Sequence, residues 1–329
     1  MEFSFLDLLV SMAGGIFGAV IGAFPVWILC GLAVLIGATV NFVNGNGDFM
    51  GMVAWGHFLG PQTSFVGGTA AAAYAAKHKL IDSGRDISTS LIGLQNPKVL
   101  MIGGLFGAIG YILFWALMQV PNYNEMAWTN VIALVVILAM IIIRFVYGQT
   151  GLFGRKVEGD DSCWIPNENA AWVNYQSRPE PLLILGFTVG LAAAYYAQVI
   201  PGSSGLIFGF VTFLLIFMLM GFKVPVTHHI ALSASMVSTV TGSIEWGVTF
   251  GILAAYLGEM CACLFLYRAD THIDPPTFAL VLTFTIFPVF WQFNIFALPA
   301  FAGYAIMAAI IVGGYFMLAK CKKCYCKCA

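Results

Sequence analysis

Charge is what this sequence has least of. Asp, Glu, Lys and Arg together make up 9% of its 329 residues, where an ordinary soluble domain carries roughly 25%. That scarcity excludes a globular surface of normal polarity. The formal net charge of −1 gives no electrostatic basis for binding nucleic acid or another strongly charged partner. The local signatures of common catalysts are missing as well: there is no Walker phosphate loop, no HExxH helix and no GxSxG nucleophile elbow. No enzyme is expected. The opening residues, Met1-Glu2-Phe3-Ser4-Phe5-Leu6-Asp7, are acidic where a secretory signal is basic, and no small-residue cleavage site follows. They read as the start of a retained first span.

What the chain has in excess is apolar surface, with 60% hydrophobic residues. Successive apolar runs of about 17 to 25 residues are what a bilayer core of about 30 Å asks of helices. The reading is an all-α, polytopic membrane protein with about ten spans. The spans are placed at 8–24, 26–43, a broken segment 49–78, 99–118, 129–148, 182–200, 205–222, a second broken region 226–267, 277–292 and 296–319. Glycine is abundant, at 36 residues. Gly14, Gly15, Gly18 and Gly22, with Gly103, Gly104 and Gly107, have the small-residue spacing that lets helices approach closely in lipid.

The polar loop 149–181 divides the chain into an N-terminal membrane half, 1–148, and a C-terminal half, 182–319, followed by a Cys/Lys-rich tail, 320–329. Each half offers two spans, a broken segment and two further spans, which suggests an internal repeat. Gly68-Thr69-Ala70-Ala71-Ala72-Ala73-Tyr74 is similar to Gly251-Ile252-Leu253-Ala254-Ala255-Tyr256. A first break that crosses the membrane once makes the repeats inverted; one that enters and returns makes them parallel. Basic residues at Lys77, Lys79, Arg85 and Lys98, at Arg144, Arg155 and Lys156, and after the last span place those segments in the cytoplasm by the positive-inside bias. If both broken regions enter and return, both termini are cytoplasmic. The location expected is the cell (inner) membrane, multi-pass.

The breaks carry the functional expectation. In Trp55-Gly56-His57-Phe58-Leu59-Gly60-Pro61-Gln62-Thr63-Ser64, Gly60 and Pro61 interrupt an apolar helix. Proline lacks an N–H and blocks the helical bond one turn upstream. Hydrocarbon cannot satisfy the freed groups, so such a break sits inside protein or against a wet cavity. A helix restarting near Thr63 would turn its N–H groups and positive end toward the gap, which suits an anion or a carbonyl oxygen. The competing reading is a proline kink with its polar groups satisfied by neighbouring helices. A second break pairs Pro225 with Thr227, His228 and His229 and runs into Ser233, Ser235, Ser238, Thr239, Thr241 and Ser243. That hydroxyl stripe either lines a polar conduit or bonds back to its own and adjacent helices.

Glu259 stands inside an apolar span, where a carboxylate costs at least about 2.5 kcal/mol on insertion scales; it is the candidate coupling residue for H⁺ or Na⁺. The alternative is a structural pair with Arg144 or a histidine. Asp48, beside Asn41, Asn44 and Asn46, belongs to an oxygen-rich cluster able to hold a hard cation or simply to turn the chain. Arg85-Asp86, Asp270, His272 and Asp274 read as caps and inter-helix links. Cys321, Cys324, Cys326 and Cys328 carry thiols for a soft metal, without a zinc-finger spacing.

The function expected is a secondary transporter, or permease, for a small polar or anionic solute held between the two halves. His57, Gly60, Gln62, Thr63, Thr227, His228 and Ser235 are the substrate-binding candidates, and Glu259 and Asp48 the ion-coupling ones. No cofactor is expected beyond the coupling ion. The partners are the solute and the bilayer, with a homo-oligomer admitted. The alternatives are a passive small-solute channel, a membrane-embedded metal-binding protein or enzyme using His57, His228, His229 and Glu259, and a non-transporting scaffold.

Overall fold

The computed structural model describes residues 2–44, 48–122, 126–155, 173–200, 202–299, 301–309 and 311–313. The chain is helical throughout, with no strand among the described residues. Its helices are α1 (Phe5–Ile21), α2 (Ala23–Asn44), α3 (Ser64–Lys77), α4 (Pro97–Leu117), α5 (Val131–Tyr147), α6 (Pro179–Val199), α7 (Leu206–Phe213), α8 (Ile216–Leu219), α9 (His228–Thr241), α10 (Ile244–Phe265) and α11 (Pro275–Gln292), with α12 (Phe301–Gly313) last. Among the described residues, five helices are long and apolar enough to cross a membrane: the segments Ala23–Val43, Pro97–Leu117, Pro179–Val199, Ile244–Phe265 and Pro275–Gln292. Shorter apolar helices fill the space between them.

Local chemistry sets the helix starts. Ser4, Asn96, Asn130, Ser243 and Asp274 each accept a backbone N–H of the first turn through the side chain, the ordinary N-cap role of these residue types. The turn between α1 and α2 falls at Gly22, whose φ of 98° is open to glycine and strained for other residues. Pro25 sits in the first turn of α2, where its missing N–H costs nothing. The second broken region is not one interrupted span. It resolves into α9 and α10, joined by a tight turn at Gly242, whose φ is 71°.

Two groups of helices pack alike. In one, α1, α3 and α4 pack on one another; in the other, α6, α9 and α10 do. Across the groups α2 packs on α7 and α5 on α11. Glycine makes the first triad close. A Cβ on Gly15 would lie 2.2 Å from the Gly103 carbonyl oxygen, and one on Gly18 would lie 1.9 Å from that of Ser64.

Loop contacts define two ends of the bundle. At one end the Phe24 N–H donates to the Ile87 carbonyl, Ser90 to Val20, Lys77 to Val146, Arg155 to Arg268 and Tyr175 to Val224. At the other, Ser4 meets Tyr111, Gln198 meets Ser238, and Thr285 donates to Thr129. Thus α1, α3 and α5 run toward the first end and α2 and α4 away from it. In the second group α7 and α10 run toward it, and α6, α9 and α11 run away. Every described Lys and Arg lies at that first end: Lys77, Lys79, Arg85, Lys98, Arg144, Arg155, Arg178, Lys223 and Arg268. It is the basic end. The segment 49–78 starts at the opposite end, unwinds, and finishes at the basic end, so it runs the length of the bundle once.

Candidate functional site

The first break is a chain of turns that satisfies itself. A π-helical turn, Met50–Ala54, precedes it and α3 follows. The Thr63 hydroxyl donates to the His57 and Gly60 carbonyls at 2.8 and 2.9 Å, and the Ser64 hydroxyl donates to Leu59 and Gly60 at 2.8 and 3.1 Å. Gln62 Nε2 donates to the Trp55 carbonyl at 2.8 Å. The backbone N–H groups of Thr63 and Ser64 both reach Gly60, while Val66 reaches Pro61 and Gly67 reaches Thr63. The N–H groups of Thr63, Ser64, Val66 and Gly67 are therefore committed within the chain. The polar residues satisfy the freed carbonyls, the need that burial of a broken helix creates.

The second break carries the same short pattern. Pro61-Gln62-Thr63 leads into α3 and Pro225-Val226-Thr227 leads into α9, with Thr63 and Thr227 at the N-cap position of each. This Pro-x-Thr match was visible in the sequence and is more telling than the alanine-rich one. The alanine-rich stretches lie on α3 and α10, helices that hold different places in their triads.

Both starts border one cavity of about 190 Å³. Pro61 lines it from the first break and Leu232 from the first turns of α9. Trp27, Trp55, Phe65 and Phe208 form its aromatic wall. Trp27 lies 5.8 Å from Phe208 and 6.0 Å from Phe65, and Trp55 lies 5.5 Å from Phe208, centroid to centroid. His228 stands behind this wall, 5.1 Å from Trp27. The polar lining comes from Asn130, Asp274 and Thr277. Asn130 caps α5 and Asp274 caps α11. Asp274 Oδ2 accepts from the Thr277 N–H at 2.8 Å and hydroxyl at 2.5 Å, and Oδ1 lies 3.2 Å from His272 Nε2. Some buried polar atoms nearby have no hydrogen-bond partner among the described residues: Trp27 Nε1, Gln62 Oε1, and Nδ1 of His228 and of His229.

The residues singled out from the sequence divide clearly. His228 and Thr227, both buried, stand at the head of α9 beside the cavity wall, and Gly60 and Gln62 flank Pro61. His57 is elsewhere: its ring lies 5.3 Å from Tyr111 and its Nε2 lies 3.7 Å from Asp7 Oδ2, on the α1–α4 side near the opposite end. Ser235 donates to the Leu232 carbonyl. Thr239 and Thr241 bond back one turn, Ser238 donates to Ala194, and Ser233 meets Thr283. The hydroxyl stripe thus bonds back to its own helix and across to α6 and α11. Glu259 is buried near the basic end, where it accepts from the Tyr267 hydroxyl and lies 3.8 Å from Cys263 Sγ.

Arg144, the alternative partner of Glu259, turns instead to the carbonyls of Leu152, Phe265 and Thr271. Asp48 is exposed and caps Gly51 at 2.8 Å, so the two ion-coupling candidates sit at opposite ends. Among the described residues no three His, Cys, Asp or Glu side chains gather as a metal-ligand set, and the His57, His228, His229, Glu259 constellation does not form. Asn46, the 156–172 part of the connecting loop and the tail with Cys321, Cys324, Cys326 and Cys328 lie outside the described residues. Trp27, Phe208, Asn130 and Asp274 were missed because each is unexceptional locally: two aromatics in apolar runs and two helix caps.

The chain belongs to DUF7973, a family of unknown function, whose model matches residues 1–162 and 166–305. No curated protein and no solved structure matches it.

Proposed function

We propose that this protein is a permease for a small polar solute, built as two inverted five-helix repeats around the shared cavity. The observation that carries the reading is that Pro61, from the first break, and Leu232, one turn into α9 after the second, line the same pocket. Discontinuous helices meeting inside the bundle are the usual binding architecture of such carriers. The matching triads, the opposite directions of corresponding helices and the two Pro-x-Thr starts support the duplication. The carboxylate of Asp274 favours a polar over an anionic solute. Asp274, in the cavity wall, takes the role first assigned to Glu259.

Positive-inside bias sets the basic end in the cytoplasm. The chain then enters α1 from outside the cell (inner) membrane, and α12 runs toward the cytoplasm, since Gly303 lies against Trp246 and Met307 packs further along α10. This revises the expectation of two cytoplasmic termini. Its premise was a first break that enters and returns, whereas 49–78 crosses once.

Reconstitution in proteoliposomes tests the function. A panel of small amines, amides and carboxylates is expected to yield one class that exchanges across the membrane, and filling the cavity by Ala133→Phe is expected to abolish that exchange in a protein that still folds. Exchange unaffected by the filling refutes the site. Flux that never accumulates solute against a gradient assigns the protein to passive channels instead.

A further inference from the structure

We infer that the cavity binds a small organic cation, the chemistry of an alkylammonium group. The inference rests on the permease reading for the movement of this solute and on the cavity alone for its binding. The wall is a box of four rings, Trp27, Trp55, Phe65 and Phe208, within 5.5–6.0 Å of one another along the chain of contacts. Aromatic faces present negative charge density and hold ammonium groups well when water is excluded. The charged group in the lining is the Asp274 carboxylate, 7% exposed, and no Lys or Arg lines the space. Its Oδ1 accepts from at most His272, which leaves lone pairs for a cation, since a carboxylate has about four acceptor sites.

An anion finds less here. In the first turn of α3 the Ser64, Val66 and Gly67 N–H groups are bonded to Gly60, Pro61 and Thr63. Size agrees as well. A 150 Å³ cavity accommodates benzene, so 190 Å³ suits about six to eight heavy atoms.

Choline and its uncharged carbon isostere, 3,3-dimethylbutan-1-ol, separate charge from shape. Calorimetric titration of the full chain in lipid nanodiscs is expected to show choline binding at least tenfold tighter than the isostere, and acetate not binding. Asp274→Asn keeps an N-cap acceptor and is expected to erase most of that preference without moving the thermal midpoint. Trp27→Phe substitutes a weaker cation–π face and is expected to weaken choline more than the isostere. Equal binding of choline and isostere by the unaltered protein overturns the inference, whatever the variants do; so does tighter binding of acetate. Choline binding with no uptake into proteoliposomes refutes the permease reading and upholds this one. Uptake of another solute by a protein that does not bind choline does the reverse.

Discussion

Gly110→Ala tests whether close packing of α4 holds the unwound segment in place. A Cβ at Gly110 would lie 1.8 Å from the Gln62 carbonyl oxygen and 2.9 Å from its carbon. Both are backbone atoms, so no side chain can swing away. An ordinary contact is near 3.4 Å, so α4 and the 55–63 segment must part by roughly 1.6 Å, and overpacking on that scale costs about 1–3 kcal/mol. Alanine recovers up to about 1 kcal/mol through helix propensity, leaving a net loss of about 2 kcal/mol at the upper end of the overpacking range. At roughly 2–4 °C per kcal/mol for chains of this order of size, the midpoint falls by about 4–8 °C. Thermal denaturation in detergent, followed by size-exclusion fluorescence, reads the shift. Gly93→Ala is the control, because nothing lies within 4 Å of a Cβ there. A Gly110→Ala midpoint equal to that of Gly93→Ala refutes the reasoning.

Three further outcomes are expected. Arg144→Lys replaces a fork that reaches Leu152, Phe265 and Thr271 with a single ammonium, and should destabilise by on the order of 3 kcal/mol; a midpoint unchanged in the same assay counts against a clamping role. Glu259→Gln preserves an acceptor for Tyr267 outside the cavity lining, so solute exchange and accumulation should persist; loss of gradient-driven accumulation restores Glu259 as the coupling group. In a cysteine-free background, Ser4→Cys should react with a membrane-impermeant maleimide on intact cells while Lys223→Cys reacts only after lysis. The opposite pattern reverses the proposed sidedness.

The breaks were legible because proline and glycine act locally. Pro61 and Pro225 each precede a helix start, and Thr63 and Thr227 follow in the cap positions. Which polar residues near a break face the solute was not legible. His57 and His228 look equivalent in sequence, yet His57 packs by Asp7 and Tyr111 while His228 stands against Trp27. The hydroxyls of α9 had two readings of equal merit until their acceptors were known. Choosing between them needs the partner helix, since an isolated Ser or Thr bonds to its own turn, to a neighbour or to a ligand with similar ease.

Composition alone determined that the chain is a bundle of apolar helices, because 9% charged residues cannot clothe anything else, and local stereochemistry determined where those helices stop. Tertiary structure decided that 49–78 runs from one end of the bundle to the other and that every described Lys and Arg lies at one end. It also decided that two tryptophans, two phenylalanines and the caps Asn130 and Asp274, drawn from distant parts of the chain, enclose a single cavity. The physical reason is that hydrophobicity and backbone preference act within a few residues, whereas convergence depends on which glycine faces let particular helices come close.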